Sequence, residues 1–419
     1  MEQLSNKGFK SMAIILIATN TLVYISSSLY APFLGAYYTE RGVTASEIGI
    51  LMAIGPLIAI LIQPLWAGLS DRTGRRKDVL SLIILGCAIS INSYYLGNNF
   101  FGYFIATILF TIFSTSMVPL SDAILVDLSE KIKFKFSYVR LGGTLGYALT
   151  VYIAGRVLKY YPSALFAMAS ISYLIMMFVV RRLPSKEREN SLGGSGQKPL
   201  DIEEVEEARH EKRTKRERSR IFMNNDIVFV LLFAFVTHLG LYFGIGFMGV
   251  YLIELGYDQS IIGMLNTISA LSEVPILLCI HKLIKRFGTM RIIAFSGIMA
   301  GVRILLISGG SLPTIIISQM LQSVTYMTTY YCSVTYINQN VEPMHRSKGQ
   351  GILTITQAGL GSIMGMILGG RVIEAIGMRQ SYIVVGCVIV GVSFVTILIY
   401  IIYNKLRSRN LINEMENIK

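Results

Sequence analysis

Long apolar runs recur from one end of the chain to the other, with short polar stretches between them. Twelve can be marked: 11–38, 46–68, 78–96, 101–129, 138–159, 163–181, 225–254, 260–284, 290–309, 312–339, 347–373 and 379–403. A run of about 20 residues coiled as a helix crosses about 30 Å of hydrocarbon. Nothing in the pattern resembles the alternating ~10-residue segments of a membrane barrel. The expected fold class is therefore an all-α polytopic membrane protein with twelve transmembrane helices. Composition agrees. Of 419 residues, 53% are hydrophobic and 15% charged, whereas a soluble domain keeps about a quarter of its residues charged. The first run is too long for the core of a secretory leader and no small-residue cleavage site follows it, so it is expected to stay in the protein.

Charge distribution orients the spans. The formal net charge is +13, which in a soluble protein would suggest nucleic acid. Here 31 of the 38 Lys and Arg fall on one side: the N-terminus, the loops after spans 2, 4, 6, 8 and 10, and the C-terminus. Arg41, Arg156, Lys159, Arg371 and Arg379 fall on the other, and Arg140 and Arg303 fall inside spans. Basic loops stay cytoplasmic. This predicts a multi-pass protein of the plasma (inner) membrane with both termini in the cytoplasm, its partner the lipid bilayer and not nucleic acid. Cys87, Cys279, Cys332 and Cys387 all lie within spans without metal-ligand spacing, and read as small apolar residues. No cofactor and no metal are expected.

Residues 182–224 break the apolar pattern. "SLGGSGQ" has linker composition, and "DIEEVEEARHEKRTKRERSR" is acidic first and basic after. The expected organisation is a six-helix bundle at 1–181, a charged cytoplasmic linker at 182–224, a second six-helix bundle at 225–404 and a cytoplasmic tail at 405–419. A faint repeat supports duplication: Arg72 and Gly74 after span 2 correspond to Arg286 and Gly288 after span 8, both offset by 214 residues.

The stretch "PLWAGLSDRTGRRKDVL" at 64–80 concentrates charge in one tight loop. Gly68 and Gly74 are expected to allow close backbone approach and positive φ. Asp71 is expected to accept from a helix N-terminus or to pair with a neighbouring arginine. Such a loop reads either as a latch or as a turn that only fixes topology. It resembles the signature loop of the major facilitator superfamily, and it stands between the second and third spans of a six-plus-six chain, as in that family. The resemblance implies two pseudo-symmetric six-helix bundles around a central cavity that opens alternately to each side. It also implies a gating loop made here by Gly68, Asp71, Arg72, Gly74 and Arg75, with Asp71 and Arg72 in the leading role. "LYAPFLGAYYTERGVTASEIGILMAIGPLIAILIQPLWAGLSD", "PLSDAILVDLSEKIKFKFSYVRLGGTLGYAL" and "RFGTMRIIAFSGIMAGVRILLIS" further resemble helices of the lactose permease-like group of oligosaccharide, nucleoside and phenylpropionate symporters.

Ionised groups in mid-bilayer cost roughly 2.5–3.5 kcal/mol, so they face a cavity and have a partner. The set is Asp122, Asp127, Arg140, Glu273 and Arg303. Asp122 lies nine residues before the turn near 131, and Arg140 nine after it. The two should meet at one depth on adjacent helices, as a substrate site or as a structural salt bridge. The resemblance implies solute binding by this pair, with Tyr147 stacking on the solute and Tyr30 facing the cavity. Asp127 is expected to face loop lysines. Glu273 reads as a proton carrier or as a structural partner of Arg303, and the proton-coupling set is Asp122, Glu273 and Arg303. Gln319, Gln322 and Tyr326 share a helical face at α spacing and are the expected cavity face of span 10. Gln322 and Thr325 stand where the lactose permease has its coupling histidine and glutamate, so lactose itself is not the expected solute. His238 reads as a packing residue.

No nucleotide-binding loop, nucleophile elbow or metal cluster is present, so the chain is not expected to be an enzyme or to use ATP. The expected function is secondary transport of a small polar solute (a sugar or glycoside, a nucleoside, or an aromatic acid) by proton symport, as a monomer. A drug/proton antiporter is the first alternative, although the fifth span, "RLGGTLGYALTVYIAG", has no proline where those transporters carry one. A membrane sensor signalling through 182–224 is the second.

Overall fold

The structure, a computed structural model, describes residues 6–184, 225–342 and 345–416. From residue 185 onward the expected linker lies outside the described residues. Those residues are helical and contain no strand. In order they form α1 (Asn6–Ser28), α2 (Ala45–Thr73), α3 (Arg76–Ser90), α4 (Phe100–Lys131), α5 (Phe136–Tyr160) and α6 (Leu165–Val180). Then come α7 (Asn225–Glu254), α8 (Gln259–Phe287) and α9 (Thr289–Ser308). α10 consists of Leu312–Met320 and Thr328–Asn340 around a π turn at Ser323–Met327, and α11 of Arg346–Thr354 and Ser362–Ile376 around a π turn at Ile355–Gly361. α12 is Met378–Glu416. Ten helices are long and apolar enough to cross a membrane, and α8 makes an eleventh if its two bent parts are one span. α10 does not qualify because the π turn breaks it and its second part, "TTYYCSVTYINQN", is largely polar.

The repeat is sharper in the backbone than in the sequence. Gly74 ends α2 with φ 60°, and Gly288 ends α8 with φ 82°. Each returns its N–H to a carbonyl four residues back, Ser70 and Ile284 respectively. One element earlier, Gly42 and Gly256 turn the chain with φ 74° and 81°. Thr44 and Asp258 then cap α2 and α8: Thr44 Oγ1 accepts from the Glu47 N–H, and Asp258 Oδ1 from the Ser260 and Ile261 N–H groups. All three pairs share the offset of 214 residues. Only glycine adopts these left-handed turns without strain. Gly68 is different from the expectation: it lies inside α2, outside the positive-φ set, with open space around it. The tight turn belongs to Gly74 alone.

The described residues fall into two compact units. One lies within Met1–Arg213 and Gly246–Leu271, the other within Thr214–Ile245 and Ser272–Lys419. In the first, α1 packs on the "GGTLG" stretch of α5. A β carbon at Gly142 would lie 2.8 Å from Ile17, at Gly143 2.4 Å from Asn20 Oδ1, and at Gly146 2.6 Å from Thr21. Lipid offers no hydrophobic drive for helix association, so small residues that let backbones approach supply it through contact. α2 is tied to α4 by Trp66 Nε1–H to the Ile112 carbonyl and Gln63 Nε2–H to the Thr115 carbonyl, both 2.8 Å. In the second unit Gly301 and Gly386 let α9 and α12 meet in the same way.

Candidate functional site

Each unit holds a polar cluster built around an intramembrane arginine. In the first, Arg140 Nη1 on α5 donates to Asp122 Oδ2 on α4 at 3.3 Å. The pair expected from the symmetric spacing about the α4–α5 turn is therefore formed. Its other oxygen is taken from a third helix: Asn20 Nδ2 on α1 donates to Asp122 Oδ1 at 3.3 Å. The Arg140 guanidinium lies over the Tyr24 ring, 4.7 Å from its centroid. Asn20 is fully buried, whereas the Arg140 and Asp122 side chains are 50% and 30% exposed. The pair thus presents charge on one side and is anchored on the other. Tyr147 sits half-buried about two turns along α5 from Arg140. Tyr30 packs its ring edge-on against Phe110 at 5.1 Å, in the aromatic group that also holds Tyr94 and Tyr173.

In the second unit Arg303 on α9 is 3% exposed. Its Nη1 donates to Gln322 Oε1 and, at 3.3 Å, to Thr325 Oγ1, and its Nη2 donates to Gln319 Oε1 at 3.2 Å. All three acceptors are on α10. Gln322 Nε2 then donates to Glu273 Oε1 on α8 at 3.4 Å. Arg303 and Glu273 are thus joined through an amide and not by a direct ion pair. The π turn at Ser323–Met327 changes the expected face of α10. Gln319 and Gln322 precede it and reach Arg303, while the Tyr326 ring lies 5.9 Å from His238 on α7 and stacks on Tyr330. A π turn inserts one residue into the α register, so spacing across it no longer reports one face. His238 is buried, with Nδ1 2.9 Å from the Ala234 carbonyl, as a packing histidine would be.

The charged loop forms a third group. Arg76, at the start of α3, pairs with Asp127 on α4 and lies 3.9 Å from Asp71. Asp127 therefore meets this arginine and not a lysine of the α4–α5 loop. Arg72 and Arg75 are exposed, and neither makes an ion pair among the described residues. Lys77 Nζ donates to the Arg181 and Leu183 carbonyls at 2.8 and 2.6 Å, where a cation meets the negative end of α6. A cavity of about 380 Å³ between α2 and α4 reaches this loop, lined by Trp66, Pro119, Asp71 and Arg76 among others.

Asn20, Tyr24 and Arg76 escaped the sequence reading. Asn20 and Tyr24 are neutral, and the search of the spans for charge passed over them. Asn20 was visible as a lone amide in the apolar run "IATNTLVY". Arg76 is one of two adjacent arginines, and only the helix start at Arg76 decides which of them faces α4.

A family model described as the MFS_1 like family matches residues 15–384. The maltose permease of Geobacillus stearothermophilus is 21% identical over 375 residues, 88% of this chain and 90% of that protein. The lactose permease of Klebsiella oxytoca is 24% identical over 390 residues, again 88% and 90%. The crystal structure of the nucleoside transporter NupG superposes with a TM-score of 0.76 at 15% identity, covering 93% of this chain and 99% of that one.

Proposed function

The chain belongs to the MFS_1 like family, and from that premise we propose that it is a secondary transporter moving a small polar organic solute across the plasma membrane by alternating access. The observation that carries this reading is the Asp122–Arg140 pair, half-exposed and anchored by Asn20 inside three apolar helices. An ion pair in such a setting is costly and is offset here by mutual pairing and by the Asn20 donor, while its exposed edge can hydrogen-bond hydroxyl, amide or carboxylate groups. The relatives named as sugar permeases and the nucleoside transporter of like fold support a sugar, a glycoside or a nucleoside as the solute, and the sequence resemblance adds an aromatic acid to the class. Within the first unit, solute contacts are assigned to Asp122, Arg140, Tyr147 and Tyr30; within the second, to Gln319, Gln322 and Tyr326. With no nucleotide-binding motif in the sequence, coupling is assigned to a proton gradient, with Asp122 and Glu273 as the two candidate carriers and Arg303 biasing Glu273 through Gln322. The two six-helix halves, 1–181 and 225–404, joined by the 182–224 linker, are proposed to expose the solute alternately to each side, with both termini cytoplasmic and the protein monomeric. The gating loop is assigned to Asp71, Arg72, Gly74, Arg75 and the Arg76–Asp127 contact.

Uptake of labelled disaccharides, nucleosides and aromatic acids into cells expressing the chain, with and without a protonophore, tests the reading. Accumulation of one class that collapses with the protonophore is expected. Accumulation that survives would move the coupling to another ion, and export of the panel in place of import would overturn the direction. Asp122→Asn and Arg140→Ala are each expected to lower uptake at least tenfold with normal amounts of protein in the membrane. Normal uptake by both variants would remove the pair from the site.

A further inference from the structure

Asp122 is held by both of its oxygens, and the two partners differ in kind. Arg140 is a permanent cation on Oδ2. Asn20 is a neutral amide on Oδ1, and an amide has two ends, one donating and one accepting. In the structure the donor end faces Asp122, which suits an ionised carboxylate. The acceptor end, Asn20 Oδ1, is buried and has no hydrogen-bond partner among the described residues. A buried acceptor left unpaired costs roughly 1–3 kcal/mol, so its retention asks for a reason.

From this geometry we propose that Asn20 is the positioning residue of a proton-carrying Asp122, and that its carboxamide turns end for end as the carboxyl gains or loses its proton. With Asp122 ionised, Asn20 Nδ2–H donates to Oδ1. When a proton from solution binds Oδ1, the new O–H becomes a donor and the nearest partner must accept. Rotation about the Asn20 Cβ–Cγ bond brings Oδ1 round to take it, with no movement of the backbone. An aliphatic side chain could serve neither state, a carboxylate only the protonated one, and an ammonium only the ionised one. The site is built for this side chain: Gly143 on α5 leaves the space, and a β carbon there would fall 2.4 Å from Asn20 Oδ1 and 2.5 Å from Tyr24 Cδ2.

The surrounding charges are few. α5 contributes Arg140, the one charge among the described residues that acts on the carboxyl, and α1 contributes Asn20 with the Tyr24 phenol ring under Arg140. Asp127, further along α4, is taken by Arg76 of α3. The exposed edge of Asp122 gives the proton its path, while Asn20 stays out of water. The proposal rests on the proton-symport reading and narrows it, naming Asp122 of the two candidate carboxyls.

The test needs no substrate. The full-length chain is reconstituted in lipid, and infrared spectra are taken across about pH 4 to 9, the span in which a perturbed carboxyl titrates. The protonated-carboxyl band lost in Asp122→Asn is assigned to Asp122. In Asn20→Leu the ionised form loses a charge-assisted donor and the protonated form a weaker neutral acceptor, so the titration midpoint should still rise, by roughly half a pH unit, about threefold in proton affinity. The protonated band should also change frequency, because the acid loses its acceptor. Gly143→Ala, which pushes Asn20 aside without altering it, should move both in the same sense and serves if Asn20→Leu does not fold. A shifted midpoint with an unmoved band would leave Asn20 a fixed donor and overturn the turning amide. An unmoved midpoint in either folded variant, or no Asp122-dependent band, would overturn the whole proposal. A chain that shows the band and its shifts but transports nothing would overturn only the symport reading.

Discussion

Arg303→Leu is expected to abolish transport and to give the largest drop in melting temperature of any single substitution in the second unit. The guanidinium is 3% exposed and supplies the donors for Gln322 Oε1, Thr325 Oγ1 and Gln319 Oε1. Leucine would leave three acceptors on α10 without that donor, each at roughly 1–3 kcal/mol. The terms do not simply add, because the freed amides can turn toward one another, yet even half of the sum exceeds an ordinary surface substitution. α10 is vulnerable here because its π turn has already given up regular α-helical bonding at Ser323–Met327. Arg303→Lys keeps the charge but loses the planar fork that reaches several oxygens at once, so it should fold better than leucine and still transport poorly. Glu273→Gln is the contrast. Glu273 accepts a 3.4 Å bond from Gln322, and its amide replacement can accept the same bond. That variant should melt close to the parent. Thermal melts of the three purified variants beside their uptake decide the matter. An Arg303→Leu chain as stable as the parent would mean that the cluster is not structural.

The fold was legible because its largest signals are crude. Apolar runs of membrane length dominate the chain, and basic loops alternate with bare ones. Asp122 and Arg140 could be paired from the sequence because an α-helical hairpin preserves depth on both sides of its turn, and both arms, α4 and α5, are regular through that region. The same arithmetic failed on α10, where the residue inserted by the π turn separated Tyr326 from Gln319 and Gln322, and no residue type announces such a turn. Gly68 misled for a similar reason. Two glycines flank the charged loop, and composition cannot say which of them sits in the left-handed position. The repeat shows the converse. Gly42 with Gly256 and Thr44 with Asp258 share no identity pattern strong enough to notice, yet each pair does one job, a left-handed turn or a helix cap.

Gly263→Val is expected to reduce transport at least tenfold, while loss of the neighbouring ion pair is expected to do little. Within the first unit, α5 and the N-terminal part of α8 run in backbone contact. A β carbon on Gly263 would lie 2.5 Å from the Val151 carbonyl oxygen and 3.1 Å from Gly155 Cα, and one on Gly155 would lie 2.5 Å from the Gln259 carbonyl oxygen. The obstruction on both sides is backbone, which cannot rotate away as a side chain can. Any substitution at either glycine therefore forces the helices apart. Parting them strains the bond from Thr267 Oγ1 to the Ala148 carbonyl, 2.9 Å. The Lys159–Asp258 bridge at the end of the seam is shorter than most, at 2.9 Å, but its side chains are 44% and 35% exposed. An exposed pair of this kind is worth roughly 0–1 kcal/mol and is screened by salt. Lys159→Met should therefore transport within about twofold of the parent. Asp258→Asn should resemble it, because asparagine keeps the cap on α8. Steric contact and not charge then holds this seam within the first unit, so the unit can tolerate the loss of a weak bridge but not a permanent wedge. Uptake by Gly263→Val, Gly155→Val and Lys159→Met, at matched amounts in the membrane, tests the ranking. Near-normal uptake by either valine variant would show that close backbone contact along this seam is not needed for transport.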